Sequence, residues 1–313
     1  MTGAQPRPKK APRLVGFLPS LQRSEEALVQ NVFMFVEDIS HPMPFRLGGK
    51  KKNFSVWLSG TETEQRKVLQ VLDGLSEHSG STLEEKLCRA VDTLAKRIAW
   101  EGRAQFELIP QDDGTTVFHP VTTKRLFRFV GFAVQFLAPE DRKLWESAAL
   151  RWVPLSALWH VDVPRELGGR LGYRRLLSNL KKFDNLGPPF LSFDVRRGGN
   201  PRNFDITEYA RANNIFRYKA AQAWGWDCRD WSTDRTTEFY NLYRGAAAEK
   251  SKRIFRAHIM SQINKLLARL GIDCAISVEG LPSAADAQQM QDELVSGELS
   301  FKDYLDARYD RQS

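Results

Sequence analysis

Residues 145–190 read WESAALRWVPLSALWHVDVPRELGGRLGYRRLLSNLKKFDNLGPPF, and no other stretch constrains the architecture of this chain as strongly. The first half is apolar and strand-like, carries three tryptophans and ends at a Val-Pro pair. Gly168-Gly169 then supplies a joint, and a basic segment with helical spacing follows it. The stretch predicts a β-rich unit joined to a basic helix, and it holds neither a nucleophile–base pair nor a metal-ligand cluster.

The composition predicts a folded protein with an anionic partner. The chain has 313 residues, of which 42% are hydrophobic and 11% aromatic, enough for a sizeable core. Lys and Arg number 46 against 38 Asp and Glu, which gives a net charge of +8. This balance favours nucleic acid ahead of an acidic protein or a membrane surface, although an ordinary solvated surface accounts for most of the excess.

The cysteines and the amino-terminal segment predict a protein of a reducing compartment. Cys88, Cys228 and Cys274 are odd in number, lie far apart and form no CxxC pair, which argues against a disulfide framework. Cys88 and Cys274 lie in apolar patterns and are expected to be small core residues. Residues 1–23 are rich in Pro and basic side chains and lack a signal-peptide core, so a disordered basic arm is expected there.

Periodicity predicts helices in the first part of the chain and again near its end. Residues 24–37 and 62–75 have helical patterns, and residues 82–100 form the clearest one, with Thr82 and Glu85 in capping-box spacing. The later stretch 235–270 predicts one long helix or a pair. A short strand and a final helix follow it.

A β-rich unit is predicted between these helical regions. A hairpin turns at Asp113-Gly114, the run 126–137 is one bent strand or two around Gly131, and residues 150–163 form a further strand. After Gly169 we expect a helix of about a dozen residues. Its expected apolar side consists of Leu171, Leu176, Leu177 and Leu180.

The sequence does not contain the common short motifs of catalytic sites. The chain has no GxSxG, HExxH, GxxxxGK[ST] or strand-associated GxGxxG pattern. His160 is better explained as a histidine at a strand end than as a catalytic base. Asp112-Asp113 could hold Mg²⁺, but a turn accounts for the pair. Trp224 and Trp226, with Trp231, could stack on bases, although a core or interface cluster explains them more simply.

Basic residues give the most suggestive pattern. Arg170, Arg174, Arg175, Lys181 and Lys182 line the predicted helix after the glycine joint. Positions 170, 174 and 181 share one helix face, which could contact phosphates without reading bases. A solvated helix face is the equal alternative. Arg196, Arg197 and Arg202 lie in a glycine-rich loop beyond this helix and extend the candidate nucleic-acid-binding set.

The order of parts supplies a resemblance. The chain runs through GRAQFELIPQDDGTTVFHPV (102–121), WVPLSALWHVDVP (152–164), YRRLLSNLKKF (173–183), EFYNLYRGAAAEKSKRIFRAHIMSQINKLLARLGI (238–272) and DELVSGELSFKDYLDA (292–307). This order resembles the portal proteins of tailed bacteriophages and their prophage relatives, the head-to-tail connectors. The resemblance lies in the order of the segments and in their residue patterns, since none of these segments is diagnostic alone.

The resemblance implies a fold and a function. A portal forms a homo-oligomeric ring of about twelve subunits at one capsid vertex, and double-stranded DNA passes through it. It works with a packaging terminase and with capsid and tail-connector proteins, and it is found in the virion and, during assembly, in the host cytoplasm. Channel-facing charge would fall on Arg170, Arg174, Lys181 and Lys182 and on the loop Arg196–Arg202.

The sequence as a whole predicts a mainly helical α+β protein with a small antiparallel wing-like unit and long stem-type helices. The expected regions are an arm (1–23), a helical and wing-like region (24–165), a stem-like region with a basic loop (166–223) and a helical carboxy-terminal region (224–313). No enzyme activity, cofactor, metal or membrane contact is expected. The alternatives are another nucleic-acid-binding protein, such as a replication or defence factor, and an enzyme with a site assembled from distant residues.

Overall fold

A computed structural model describes residues 10–16, 18, 30–43, 54–145, 148–186, 221–226 and 238–304. Over these ranges the chain is an α+β protein with more helix than strand and with small antiparallel sheets, which confirms the predicted class. The helices are α1 (Gln30–Ile39), α2 (Glu62–Leu75), α3 (Leu83–Glu101), α4 (Pro139–Trp145), α5 (Gly169–Leu186), α6 (Glu238–Arg269) and α7 (Ala284–Ser296). The predicted division at residues 23, 165 and 223 stays a prediction.

Capping chemistry sets the bounds of α3. The Thr82 hydroxyl accepts a hydrogen bond from the Glu85 N–H at 3.2 Å, as predicted. The Glu85 carboxylate returns the interaction one residue earlier than a capping box requires, by accepting the N–H of Ser81 at 2.8 Å. Gly102 ends the helix with φ at 72°, and its N–H donates to the Ile98 carbonyl. The first strand of the β-rich unit therefore begins directly after α3.

The strands form three antiparallel sheets. The pairs and triplets are β1 (Ser55–Leu58) with β8 (Ile276–Glu279); β3 (Thr116–Pro120), β2 (Arg103–Pro110) and β7 (Leu158–Asp162); and β4 (Leu126–Arg128), β5 (Phe132–Phe136) and β6 (Leu150–Pro154). In the second sheet β2 is central, and in the third β5 is central. Both three-stranded sheets lie within the β-rich unit that was predicted.

The prediction of a single strand at 150–163 is wrong, because this stretch forms two strands that belong to different sheets. Pro154 has no N–H with which to continue a ladder, and Leu155–Ala157 form a 3-10 turn between β6 and β7. The run 126–137 is likewise two strands, which settles that alternative. Gly131 lies between them with φ at 84°, a backbone conformation that suits glycine.

The expectation of a disordered arm is wrong for residues 10–16. Leu14 and Val15 are buried, with 1% and 2% of their surface exposed. The Glu107 carboxylate accepts the N–H of Leu14 at 2.9 Å, and Gln135 both accepts from the Val15 N–H and donates to its carbonyl, each at 2.8 Å. Buried polar side chains on β2 and β5 thus replace a strand partner for this segment, and composition alone gives no signal of that.

The main core confirms the structural interpretation of two tryptophans. Trp224 and Trp226 are buried and meet Phe35 edge to face, with ring centroids 5.8 and 5.3 Å apart. Trp231 lies outside the described residues. Cys88 and Cys274 are also buried, as predicted. The stretch 235–270 contains one helix, α6, in place of the alternative pair.

Helix α5 is longer than predicted, with 18 residues, and its core face is different. Tyr173, Leu176 and Leu180 are buried, whereas Leu171 is 74% exposed. The assignment of Leu171 to the apolar side is therefore wrong. At 100° per residue, this position lies roughly opposite the face centred on Leu176 and Leu180.

Candidate nucleic-acid interface

The glycine joint positions α5 against the end of β7. Gly168 and Gly169 have φ of 89° and 59°, which residues with a Cβ adopt only at a cost. Their N–H groups donate to the carbonyls of Arg165 (2.9 Å) and Pro164 (3.0 Å). The chain thereby turns directly from the last strand of the sheet into the first turn of the basic helix.

The buried side of α5 is anchored on the end of α3. The Tyr173 hydroxyl is buried and donates to the Ala99 carbonyl at 2.6 Å. The stems of Arg170 and Arg174 lie over Gly102, where an added Cβ would meet their Cγ atoms at 3.5 and 3.6 Å. These two arginines therefore leave α5 directly above the start of β2.

An arginine and an aspartate are paired where β2 and β7 meet. Arg103 and Asp162 are cross-strand partners in the register of the sheet. The guanidinium donates from Nε to Oδ1 at 2.5 Å and from Nη2 to Oδ2 at 2.7 Å. Both carboxylate oxygens of Asp162 are thus engaged by Arg103 in a bidentate pair.

His160 lies beside this pair and is neutral at pH 7. Its Nε2 is 3.7 Å from Asp162 Oδ2 and 3.5 Å from Arg128 Nη1. Burial, followed by the charges of Arg103 and Arg128, lowers the pKa of His160 to about 4. Arg128 also donates to the Gln105 side-chain carbonyl at 2.9 Å. His160 is a strand histidine within a cationic cluster.

Six basic side chains from strands, a loop and a helix gather on this side of the protein. We call this set the cationic face: Arg103, Lys124, Arg128, Arg170, Arg174 and Lys181. Burial, and then the charges of Arg103 and Arg174, lower the pKa of Arg170. Burial, and then Lys181 and Arg174, lower the pKa of Lys124. These mutual effects show that the cations are close enough to repel one another.

Neighbouring carboxylates offset only part of this charge. Asp162 is held by Arg103, and the Glu101 carboxylate accepts from the Thr122 hydroxyl (3.0 Å) and the Thr123 N–H (2.5 Å). Arg128 remains protonated at neutral pH, although burial and Arg103 lower its pKa to about 10 while much of its side chain stays accessible. The cationic face therefore keeps a positive excess that favours a polyanion.

The structure brings together part of the predicted binding set. Arg170, Arg174 and Lys181 lie on one side of α5, as their spacing predicts, with Arg174 and Lys181 exposed. Lys182 lies in the same helix, with its side chain outside the described residues. Arg196, Arg197 and Arg202 also lie outside the described residues.

Sequence reasoning missed the contributions of Arg103, Lys124 and Arg128. Arg103 and Arg128 reach α5 only because β2 pairs with β7 and because Arg128 extends to Gln105. Strand register is a long-range property that local patterns do not contain. The available signal was weak: Arg103 lies at the start of the predicted hairpin, and Lys124 and Arg128 lie close to the start of the run 126–137.

The sheet β4–β5–β6 carries exposed apolar side chains on its outer face and in the connection between β4 and β5. We call this set the apolar outer face: Phe127 (53% exposed), Phe129 (49%), Val130 (98%), Phe132 (40%), Phe136 (43%), Leu150 (53%) and Trp152 (62%). Ala133 and Val153, which alternate with these residues, are fully buried on the inner face. No part of the chain that the structure describes covers the apolar outer face.

Both carboxylates of the Asp112-Asp113 turn have partners within the protein. Asp113 accepts from the N–H and hydroxyl of Thr115 at 2.9 and 2.6 Å, and Asp112 pairs with Lys10 at 2.8 Å. Among the described residues, no three His, Cys, Asp or Glu side chains are grouped to hold a metal ion. None of the described helices is long and apolar enough to cross a membrane.

Comparison of the chain with known protein families, with curated proteins and with solved structures gives no match. The portal resemblance therefore rests on the order of elements in the sequence and stays a prediction.

Proposed function

We propose that this protein is a portal-like structural subunit, which assembles into a homo-oligomeric ring and conducts double-stranded DNA. The cationic face is the observation that carries the proposal, because it presents several cations to a phosphate backbone and little negative charge. Contacts of this kind bind DNA of any sequence, as a conduit requires. Arg174 and Lys181 are the exposed members on α5.

The apolar outer face supports assembly with further copies of this chain. Since a large apolar side chain carries about 150–250 Å² of surface, the exposed fractions of this set amount to on the order of 700 Å². One partner of a standard interface contributes roughly 800 Å². Patches of this size on an isolated subunit mark interaction sites.

A second copy is the occupant we propose, because the chain offers a different aromatic patch elsewhere. Phe239 and Tyr243 on α6 stack with centroids 6.3 Å apart, and Phe301 lies 6.1 Å from Phe239. These rings are 36–38% exposed. A ring requires a head-to-tail contact between two unlike surfaces of the same chain, and these two patches provide such a pair.

The proposal includes the partners and locations that the portal resemblance implies. These are a packaging terminase, capsid proteins and tail-connector proteins, in the virion and, during assembly, in the host cytoplasm. A non-portal nucleic-acid-binding protein is the second candidate, because the cationic face would serve it equally well. The mass of the assembled particle separates the two candidates.

Binding of the full chain to fluorescent DNA duplexes of unrelated sequence tests the DNA part of the proposal. We expect similar affinities for all duplexes and a steep loss of affinity as salt rises, because counterions are released on binding. No binding at low salt would contradict the proposal.

A further inference from the structure

A cavity of about 420 Å³ opens beneath the first turn of α5. Its wall joins three parts of the chain: the end of β7, the turn into α5, and α6. The polar side chains that line it are His160, Asp162, Arg165, Arg170, His258 and Gln262. A space of this size admits a phosphate group together with an attached sugar.

Arg170 lines this cavity and brings a positive charge to it. Its Nε is buried and has no hydrogen-bond partner among the residues that the structure describes. The charged guanidinium of a residue that lines a cavity can donate from its Nη atoms to an anion bound there, and its charge favours such a ligand. Arg165 lies in the same wall and is exposed, so a second guanidinium borders the opening.

The acidic and imidazole groups of the wall do not cancel this charge. Both oxygens of Asp162 are held by Arg103. Burial lowers the pKa of His258 despite the opposing charge of Glu166, so this imidazole is neutral at pH 7. His160 is neutral as well. The guanidinium groups of Arg165 and Arg170 therefore give the wall of the cavity a net positive charge.

The amino-terminal turn of α5 adds to the same preference. Gly169, Arg170 and Leu171 all line the cavity, and the helix behind them is 18 residues long. The N–H groups of a first helical turn carry partial positive charge and favour anions. The partial positive charge of the helix end therefore adds to the full charges of Arg165 and Arg170 at the same site.

We propose that this cavity binds a phosphate group, held by Arg170 and Arg165 with Gln262 as a neutral hydrogen-bonding neighbour. The phosphate could belong to the DNA backbone or to a small phosphorylated molecule, since both offer the same oxyanion. This inference rests on the proposed function, because Arg170 belongs to the cationic face that we propose contacts phosphate. It can be tested separately from the proposed function, with a variant that changes the cavity and leaves the cationic face intact.

The test measures binding of three probes to the full chain by calorimetry: inorganic phosphate, deoxyadenosine monophosphate and a short DNA duplex. Arg170→Gln removes the charge, and Gln262→Glu places a carboxylate in the cavity without touching the cationic face. The matched controls are Arg175→Gln, an exposed position on α5 outside the cavity wall, and Gln289→Glu, an exposed position on α7.

At least one probe is expected to bind about tenfold more weakly to Arg170→Gln and to Gln262→Glu, and within about twofold of wild type to both controls. The probe that responds identifies the source of the phosphate. The inference is overturned if no probe distinguishes the cavity variants from their controls. Duplex binding that depends on Arg174 and Lys181 but ignores Gln262→Glu would leave the proposed function standing without this site.

Discussion

Arg103 and Asp162 occupy paired positions at the junction of β2 and β7, and the guanidinium holds both carboxylate oxygens at 2.5 and 2.7 Å. Arg103 is only 12% exposed, so this ion pair is largely withdrawn from water on the cationic side. Asp162 is the carboxylate closest to Arg128 and His160, and Arg103 already engages both of its oxygens. The pair therefore stabilises the sheet while leaving the surrounding cations in excess.

Replacing Asp162 with Asn should separate stability from DNA binding. We expect the free energy of unfolding to fall by about 1–3 kcal/mol, because Arg103 loses its charged partner while remaining mostly buried. DNA affinity should rise, because the cationic face loses a negative charge. Urea unfolding and duplex binding measure the two effects.

Asp112→Asn is the matched control for that change. Asp112 follows the opposite end of β2 from Arg103, and the strand between them spans roughly 23 Å at 3.3 Å per residue, so the same loss of charge should leave DNA affinity unchanged. A fall in DNA affinity of Asp162→Asn that matches its loss of stability would contradict this explanation.

The double substitution Arg174→Ala and Lys181→Ala should weaken duplex binding about tenfold or more and lower the salt dependence by one to two phosphate contacts. Both side chains are exposed, so folding and assembly should be retained. Arg175→Ala with Lys67→Ala removes the same charge outside the cationic face and should have little effect. Equal losses in the two double variants would show that only net charge matters.

Glu107→Ala should release the segment at residues 10–16. Glu107 is 2% exposed and accepts the N–H groups of Arg13 and Leu14, so its loss leaves buried donors without an acceptor. We expect a loss of about 2–3 kcal/mol in unfolding free energy and faster hydrogen exchange at the Leu14 amide. Glu77→Ala breaks an exposed ion pair with Arg97 and should cost well under about 1 kcal/mol. A Leu14 amide that stays protected in Glu107→Ala would refute the proposed anchor.

His160 should make the stability depend on pH. Its pKa is about 4 in the folded protein against a usual value of 6.5, so between these values the unfolded chain binds more protons. The stabilising contribution is complete above pH 6.5 and is lost as pH falls towards 4. Because 36% of the side chain is exposed, the difference should be about 1 kcal/mol.

Unfolding experiments at several pH values check this sign. His160→Gln should reduce the loss of stability between pH 6.5 and 4, whereas His78→Gln, at an exposed position, should leave it as in wild type. A His160→Gln protein with the wild-type pH profile would show that the histidine is equally protonated in both states.

Local rules predicted what local interactions determine. The helix at 62–75 was predicted with its observed bounds. The Thr82 cap and the helix at 82–100 were predicted because capping and 3.6-residue periodicity act within a few residues. The basic side of α5 was predicted for the same reason. Near Gly131 the sequence allows either one bent strand or two, because a glycine in a strand pattern marks either a bend or a break.

Long-range contacts account for what the sequence did not reveal. Glu107 alternates with Phe106 and Leu108, a pattern typical of a solvent-facing strand position, but the segment at Leu14 covers it. Arg103 joins the cationic face only through the register of β2 with β7. Pairing partners of this kind are set by the whole fold, and a single sequence does not specify them.

A single substitution tests whether the protein assembles through the apolar outer face. Trp152 is 62% exposed and lies on the edge strand of its sheet, so Trp152→Glu should leave the subunit folded. A charge in the middle of an apolar interface should shift the particles towards monomers, since burying it without a partner is strongly unfavourable. Glu140→Gln, a change of charge on α4, is the control and should assemble as wild type.

The mass and shape of the purified full-length particle test the central claim most directly. Mass photometry together with electron microscopy should show closed rings whose mass is a multiple of the 35.8 kDa subunit, with about twelve copies if the portal resemblance holds. A stable 35.8 kDa monomer at micromolar concentration would contradict the portal-like proposal.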